Sequence, residues 1–182
     1  MALIEINEAS ISQGRRQVVD RFSAKLRPGT ITAVIGPNGC GKSSLLSAIA
    51  GDLKLSSGSI RFDGVDLEQI NLQIQAAKRS VVAQSRNYWL AYSVREVIAM
   101  GQGASEIGRI DAVITALNMK EFAEQSVTTL SGGQAQRVDI ARALIRESDI
   151  YLFDEPFSAQ DSGSKEAIIN IFKELRLRGK TI

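Results

Sequence analysis

The chain has 182 residues, 44% of them hydrophobic, and a formal net charge of +2. That length suits one domain with a sizeable core, and the near-neutral balance excludes the strong basic stripe of a nucleic-acid binder. A single cysteine, Cys40, excludes an internal disulfide, and no stretch approaches the ~20 apolar residues of a membrane span.

The opening residues carry no signal-peptide pattern, so the expectation is a soluble chain in a reducing compartment that reaches a membrane only through a partner. Ala2–Asn7 and Val18–Arg27 read as strands, with the basic pair Arg15-Arg16 on a solvated strand or turn between them. Pro28-Gly29 signals a turn. Thr30–Ile35 is β-branched and apolar, the pattern of a buried strand, and it runs directly into a glycine loop. Ser43–Ala50 has helical spacing, with Gly51 placed to stop it.

Ser59–Phe62 predicts a short strand between two glycine turns, Asn71–Lys78 a helix, and Ser80–Ala83 another short strand. From Ser85 to Leu144 helical patterns dominate, over Ser93–Met100, Glu106–Leu117 and Gln134–Ile145. Asp149–Phe153 returns to a buried strand. Gly163–Arg178 predicts a helix with Ile168, Ile169, Ile171, Phe172 and Leu175 inward. Gly179 ends that helix, and Lys180–Ile182 reads as the opening of a further strand. A βαβ crossover needs its return strand, so the expectation is either that the sequence lacks a C-terminal piece or that the natural protein is truncated.

Three motifs carry chemistry. Gly36–Ser43 (Gly-Pro-Asn-Gly-Cys-Gly-Lys-Ser) fits the spacing GxxxxGK[ST]. Glycines let successive backbone N–H groups face phosphate oxygens, and a helix N-terminus adds a favourable dipole. Gly36, Pro37, Asn38, Gly39, Cys40 and Gly41 would form the cradle, with Cys40 present as a small residue whose backbone matters. Lys42 would reach the β- and γ-phosphates, Ser43 would ligate Mg²⁺, and Ser44 could bond a phosphate oxygen. Strand, glycine loop and helix is the context such a loop requires.

Asp154 and Glu155 close an apolar strand, where carboxylates project toward the crevice in which α/β sheets bind ligands. Asp154 would hold Mg²⁺ and Glu155 would polarise an attacking water. Leu130–Gln134 (Leu-Ser-Gly-Gly-Gln) places Ser131, Gly132, Gly133 and Gln134 at the mouth of a helix, with bare backbone donors suited to a second phosphate or to a second subunit.

With these residues in place, the chain resembles the nucleotide-binding domain of an ATP-binding cassette (ABC) protein. Walker A is Gly36–Ser43, the Q-loop is Gln84, the signature is Leu130–Gln134, Walker B is Tyr151–Glu155, and the run from Ser158 to Asp161 is similar to the D-loop. The resemblance implies an α/β fold: a P-loop NTPase core with a parallel sheet, a small antiparallel β subdomain and a helical signature subdomain. It places the core at 1–84 and 145–182 and the helical subdomain at 85–144.

It also implies a head-to-tail homodimer that sandwiches ATP, with Gln84 joining the Mg²⁺ shell beside Ser43 and Asp154, and Asp161 near the nucleotide. Two departures accompany it. Residues 8–20 hold no aromatic side chain to stack on adenine, leaving Ser12, Gln13, Arg15 or Arg16 at that place. The γ-phosphate histidine is expected after the strand that opens at Thr181, and the sequence ends at Ile182, before that position.

The segment Asn87–Tyr92 followed by Ser93–Gly101 is similar to importer ATPases for haem, iron–siderophore, cobalamin or metal ions. The resemblance implies contact with integral membrane transporter subunits through the region from Tyr88 to Met100, a cytoplasmic position on the inner face of the cell membrane, and no direct nucleic-acid partner. Tyr88, Trp89 and Tyr92 suit either a partner surface or packing within the helical part. Two other readings stand beside the transporter: a soluble cassette ATPase without a transport role, and a nucleotide-binding interaction subunit without turnover.

Overall fold

The computed structural model describes residues 3–83, 88–103, 108–158 and 160–182. The chain forms two compact units, one built from residues up to 79 with 148–152 and 175–182, the other from 80–147 and 153–174.

In the first unit, β1 (Ile4–Gln13) and β2 (Arg16–Leu26) form an antiparallel hairpin about Gly14-Arg15. β3 (Ser57–Phe62) and β4 (Val65–Asp66) extend it to a four-stranded sheet in the order β2-β1-β3-β4. Period-two alternation puts Ile4 and Ile6 of β1 opposite Phe62 and Ile60 of β3, and all four are buried. The register slips between Ile6 and Ala9, where Glu8 takes a φ of 44°. This bulge re-aims the strand, so Ala9 and Ile11 return to the core. α1 (Lys42–Ile49) buries Leu45, Ala48 and Ile49, and Gly51 ends it at φ 76°. α2 (Leu72–Lys78) begins where the Asn71 side chain accepts the Gln73 N–H at 2.8 Å.

β5 (Arg79–Val82) and β6 (Ile150–Phe153) pair in a second sheet. The Asp149 N–H bonds the Lys78 carbonyl and the Asp154 N–H bonds the Val82 carbonyl, so both chains advance in the same direction. Thr181 continues the parallel ladder beyond β6. Its N–H donates to Asp149 and its carbonyl accepts from Tyr151. Ile182 in turn bonds Thr30 and Thr32.

The expectation of a buried strand over Thr30–Ile35 is corrected here. Only Thr30 and Thr32 enter the ladder, and Ile31, Val34 and Ile35 are 44%, 40% and 91% exposed. The run has strand-forming residues but its ladder partner among the described residues is Ile182 alone, so no continuous strand forms beyond Thr32.

The second unit is mainly helical: α3 (Val94–Ala99), α4 (Ile110–Ala116), α5 (Gly132–Ile145) and most of α6 (Ser162–Leu177). Ser93 and Glu96 make a reciprocal capping box at the start of α3. Val94, Ile98, Ile114, Leu117, Val138 and Ile140 fill its core. The helix predicted over Glu106–Leu117 begins at Ile110, with Gly108 and Arg109 in a turn before it, while Glu106 lies outside the described residues. On α6, Ile168, Ile171, Phe172 and Leu175 are buried as expected, but Ile169 is 41% exposed. At 3.6 residues per turn Ile169 sits about 100° round from Ile168, off the inward stripe.

Candidate functional site

The first unit carries the glycine loop. Residues 31–40 are exposed, and Gly41 caps α1 in the left-handed region at φ 96°. A side chain at Gly41 would meet the Val18 carbonyl at 2.6 Å and Val19 Cγ2 at 2.8 Å. Only glycine lets β2 approach the loop so closely. Gly36 faces Cys40 in the same way, a β-carbon there falling 2.7 Å from Cys40 Sγ.

Lys42 Nζ donates to the carbonyls of Gly36 and Pro37, both at 2.9 Å, so its ammonium is wrapped by the loop that precedes it. Ser43 is exposed in the first turn of α1, and Ser44 Oγ accepts from Gln13 Nε2 at 3.1 Å. The tip of the β1–β2 hairpin is thereby tied to the start of α1. Ser12 instead bonds Ser56 at 3.4 Å, and Arg15 and Arg16 are exposed at the hairpin turn.

The second unit carries the signature and the two acidic residues. Ser131 caps α5 by accepting the Gln134 N–H at 3.3 Å, while Gln134 Oε1 accepts the Ser131 N–H at 2.9 Å. The donors expected to be bare are thus partly engaged, because the motif closes its own capping box. Gly132 and Gly133, as the first helical residues, retain N–H groups without an intrahelical acceptor. Asp154 follows β6 and is half-buried; Glu155 is exposed, with a left-handed backbone at φ 50°.

Asp161 caps the start of α6. Its carboxylate accepts the Ser164 N–H and hydroxyl, each at 2.8 Å. These bonds, with the charge of Arg137, hold its pKa below the usual carboxylate range. Gln84 lies outside the described residues, as does Ala159 of the D-loop.

Gln136 and Arg137 of this unit are not singled out by the sequence, and Gln160 enters it only as a member of the D-loop run. Gln136 Nε2 donates to the Glu155 carbonyl at 2.7 Å, and Gln160 Nε2 donates to the Gly133 carbonyl at 2.9 Å and to Gln136 Oε1 at 3.0 Å. Arg137 lies 5.0 Å over the Phe122 ring and donates to the carbonyls of Leu117 and Asn118 at 3.4 and 3.2 Å. Burial lowers its pKa, with the Asp161 charge acting in the opposite sense. No local sequence signal marks Gln136 or Arg137, because their partners are distant along the chain.

The Tyr88 hydroxyl donates to Asp139 at 2.8 Å, whereas Trp89, Leu90 and Tyr92 are 85%, 64% and 42% exposed. The two readings of the aromatic segment therefore divide between its members. A cavity of about 750 Å³ in the first unit is lined by Ala48, Leu53, Ile60, Leu67 and Gln75, among others, and none of the sequence-predicted site residues reaches it. The Gln75 amide at its wall is already bonded to the carbonyls of Leu67 and Ile70.

The ABC transporter family profile matches residues 7–158. The chain is 33% identical over 190 residues to the zinc transport system ATP-binding protein TroB of Treponema pallidum, covering 98% of this chain and 70% of that protein. It is 33% identical over 191 residues to the hemin import ATP-binding protein HmuV of Pseudomonas entomophila, covering 99% and 75%. A solved structure described as the ATP binding subunit of an ABC transporter superposes with a TM-score of 0.87 at 22% identity, over 99% of this chain and 77% of that one. The fold is thus the ABC ATPase fold, and the chain belongs to the ABC transporter family.

Proposed function

We propose that the chain is the ATP-binding subunit of an importer and hydrolyses ATP as a homodimer. The observation that carries this reading is the presence, in one chain, of two helix N-termini prepared for phosphate. One is the glycine loop entering α1 around Lys42, and the other is the serine-capped start of α5 at Ser131–Gly133. One cradle per phosphate chain suffices, so the second suits the nucleotide of a second copy.

In this reading Gly36–Gly41 hold the phosphates by backbone N–H groups, Lys42 exchanges two loop carbonyls for phosphate oxygens, and Ser44 adds a hydroxyl. Ser43 and Asp154 offer hydroxyl and carboxylate oxygens, a donor set that fits Mg²⁺. When bound, that ion neutralises charge on the β- and γ-phosphates. Gln84 completes its shell, Glu155 accepts a proton from the attacking water, and Ser131, Gly132 and Gly133 reach the nucleotide of the partner copy. Gln134 and Asp161 shape these contacts through the caps they make. Residues 85–144 act as the helical subdomain, and 1–84 with 145–182 as the core.

Trp89, Leu90, Tyr92 and Met100 are each exposed in the segment assigned to membrane transporter subunits. No described helix is long and apolar enough to cross a membrane, and such docking would hold the chain at the inner face. The names of its relatives point to haem or a metal ion as the solute.

The test is ATP turnover across a range of protein concentrations, with Glu155→Gln as control. Specific activity that climbs with concentration and vanishes in the control supports the shared site. Turnover independent of concentration, or undiminished in the control, refutes it.

A further inference from the structure

Glu155 combines an acidic side chain with a backbone φ of 50°, a conformation that residues with a β-carbon adopt only when their surroundings enforce it. Its surroundings within the second unit form a closed chain of hydrogen bonds. Gln160 Nε2 donates to the carbonyl of the signature residue Gly133 at 2.9 Å and to Gln136 Oε1 at 3.0 Å. Gln136 Nε2 donates to the Glu155 carbonyl at 2.7 Å and to Ser158 Oγ at 3.3 Å. The Ser158 hydroxyl donates to the same Glu155 carbonyl at 2.9 Å, and its N–H does so at 3.1 Å.

The orientation of both amides is dictated by these partners. The carbonyls of Gly133 and Glu155 only accept, so each must face an amide nitrogen. Gln160 then has its nitrogen directed at Gln136 Oε1, which leaves the Gln136 nitrogen for Glu155. Gln160 is 7% exposed, and a buried amide cannot turn over without leaving donors unpaired.

We propose that Gln136 and Gln160 are positioning residues for Glu155. Gln160 orients the Gln136 carboxamide. Gln136, with Ser158, grips the Glu155 carbonyl and thereby keeps the left-handed backbone that aims the carboxylate. The proposal rests on the reading of Glu155 as the proton acceptor in ATP hydrolysis.

Gln136→Glu tests it, because the substituted side chain keeps the size and the acceptor for Gln160 but loses its donor. The expected result in the full chain is a kcat ten- to a hundredfold lower, with the KM for ATP and the affinity for a non-hydrolysable analogue within twofold. Protonation restores a donor, so activity relative to the unsubstituted protein should recover as pH falls toward the ordinary glutamate value of about 4.3. A role confined to stability would produce no such recovery. Gln160→Glu, lacking both its donors, should lower kcat similarly and without recovery specific to acid, because two donors are lost and one proton returns.

Amide hydrogen exchange gives a readout free of turnover. Exchange at Ser158, whose N–H closes on the Glu155 carbonyl, should quicken at least tenfold in Gln136→Glu while α3 is unchanged. Unaltered exchange, or a kcat within twofold of the unsubstituted protein, overturns the proposal. If Glu155→Gln still hydrolyses ATP, the catalytic reading fails instead. If the unsubstituted chain does not hydrolyse ATP, the exchange arm alone decides whether the clasp exists.

Discussion

In the proposed reading Lys42 serves its site both before and after the nucleotide arrives. Its two bonds to the Gly36 and Pro37 carbonyls are exposed, so each contributes little net stability. Lys42→Met should leave Tm within about 2–3 °C, since a change near 1 kcal/mol moves a domain of this size by that much. It should nevertheless weaken ATP binding at least tenfold by calorimetry, because a charge-assisted phosphate contact is lost. Glu155 makes the opposite trade. Its left-handed backbone costs on the order of 1 kcal/mol, and asparagine tolerates that region better. Glu155→Asn should therefore raise the stability measured by denaturant unfolding by about 0.5–1 kcal/mol while abolishing turnover, since an amide cannot accept the proton.

Among the elements, α6 depends on a titratable cap. The bonds from Ser164 and the charge of Arg137 depress the Asp161 pKa. A depressed carboxylate stabilises the fold fully above its unfolded value, about 3.9, and the benefit disappears as pH falls through the lower folded value. An asparagine cap is uncharged at every pH, so a comparison of Asp161→Asn with the unsubstituted chain should show a constant Tm deficit above about pH 5. The deficit should begin to narrow below about pH 4 and close only below the lowered folded value, where the carboxylate cap is neutral as well.

The helices that begin with a cap are the most legible from sequence. Ser93, Asn71 and Ser131 each precede their helix by one position, and each caps it. Thr30–Ile35 reads as a strand because propensity reports the residues and not the partner. Its ladder needs Ile182, which nothing local announces. Helical phase resolves Ile168-Ile169, since two adjacent residues cannot share one narrow stripe. The glycine loop and the signature are readable because their chemistry sits within a few consecutive residues. Gln136 is not, and Gln160 is read only as part of the D-loop run, because the value of both lies in whom they meet.

For the molecule as a whole, the decisive contacts join distant parts of the sequence. Thr181 is buried, and its N–H donates to Asp149 while its carbonyl accepts from Tyr151. Thr181→Pro deletes that donor, and a buried carbonyl loses its partner at about 1–3 kcal/mol. The expected outcome is a Tm lower by roughly 2–10 °C, followed by calorimetry or near-ultraviolet circular dichroism.

The pairing of Thr30 and Thr32 with Ile182 has a further meaning for a chain made from one end to the other. The ribosome adds about 5–20 residues per second, so the segment leading into the glycine loop emerges roughly ten to thirty seconds before its ladder partner does. The nascent protein must hold the approach to its glycine loop until a pairing partner made much later arrives.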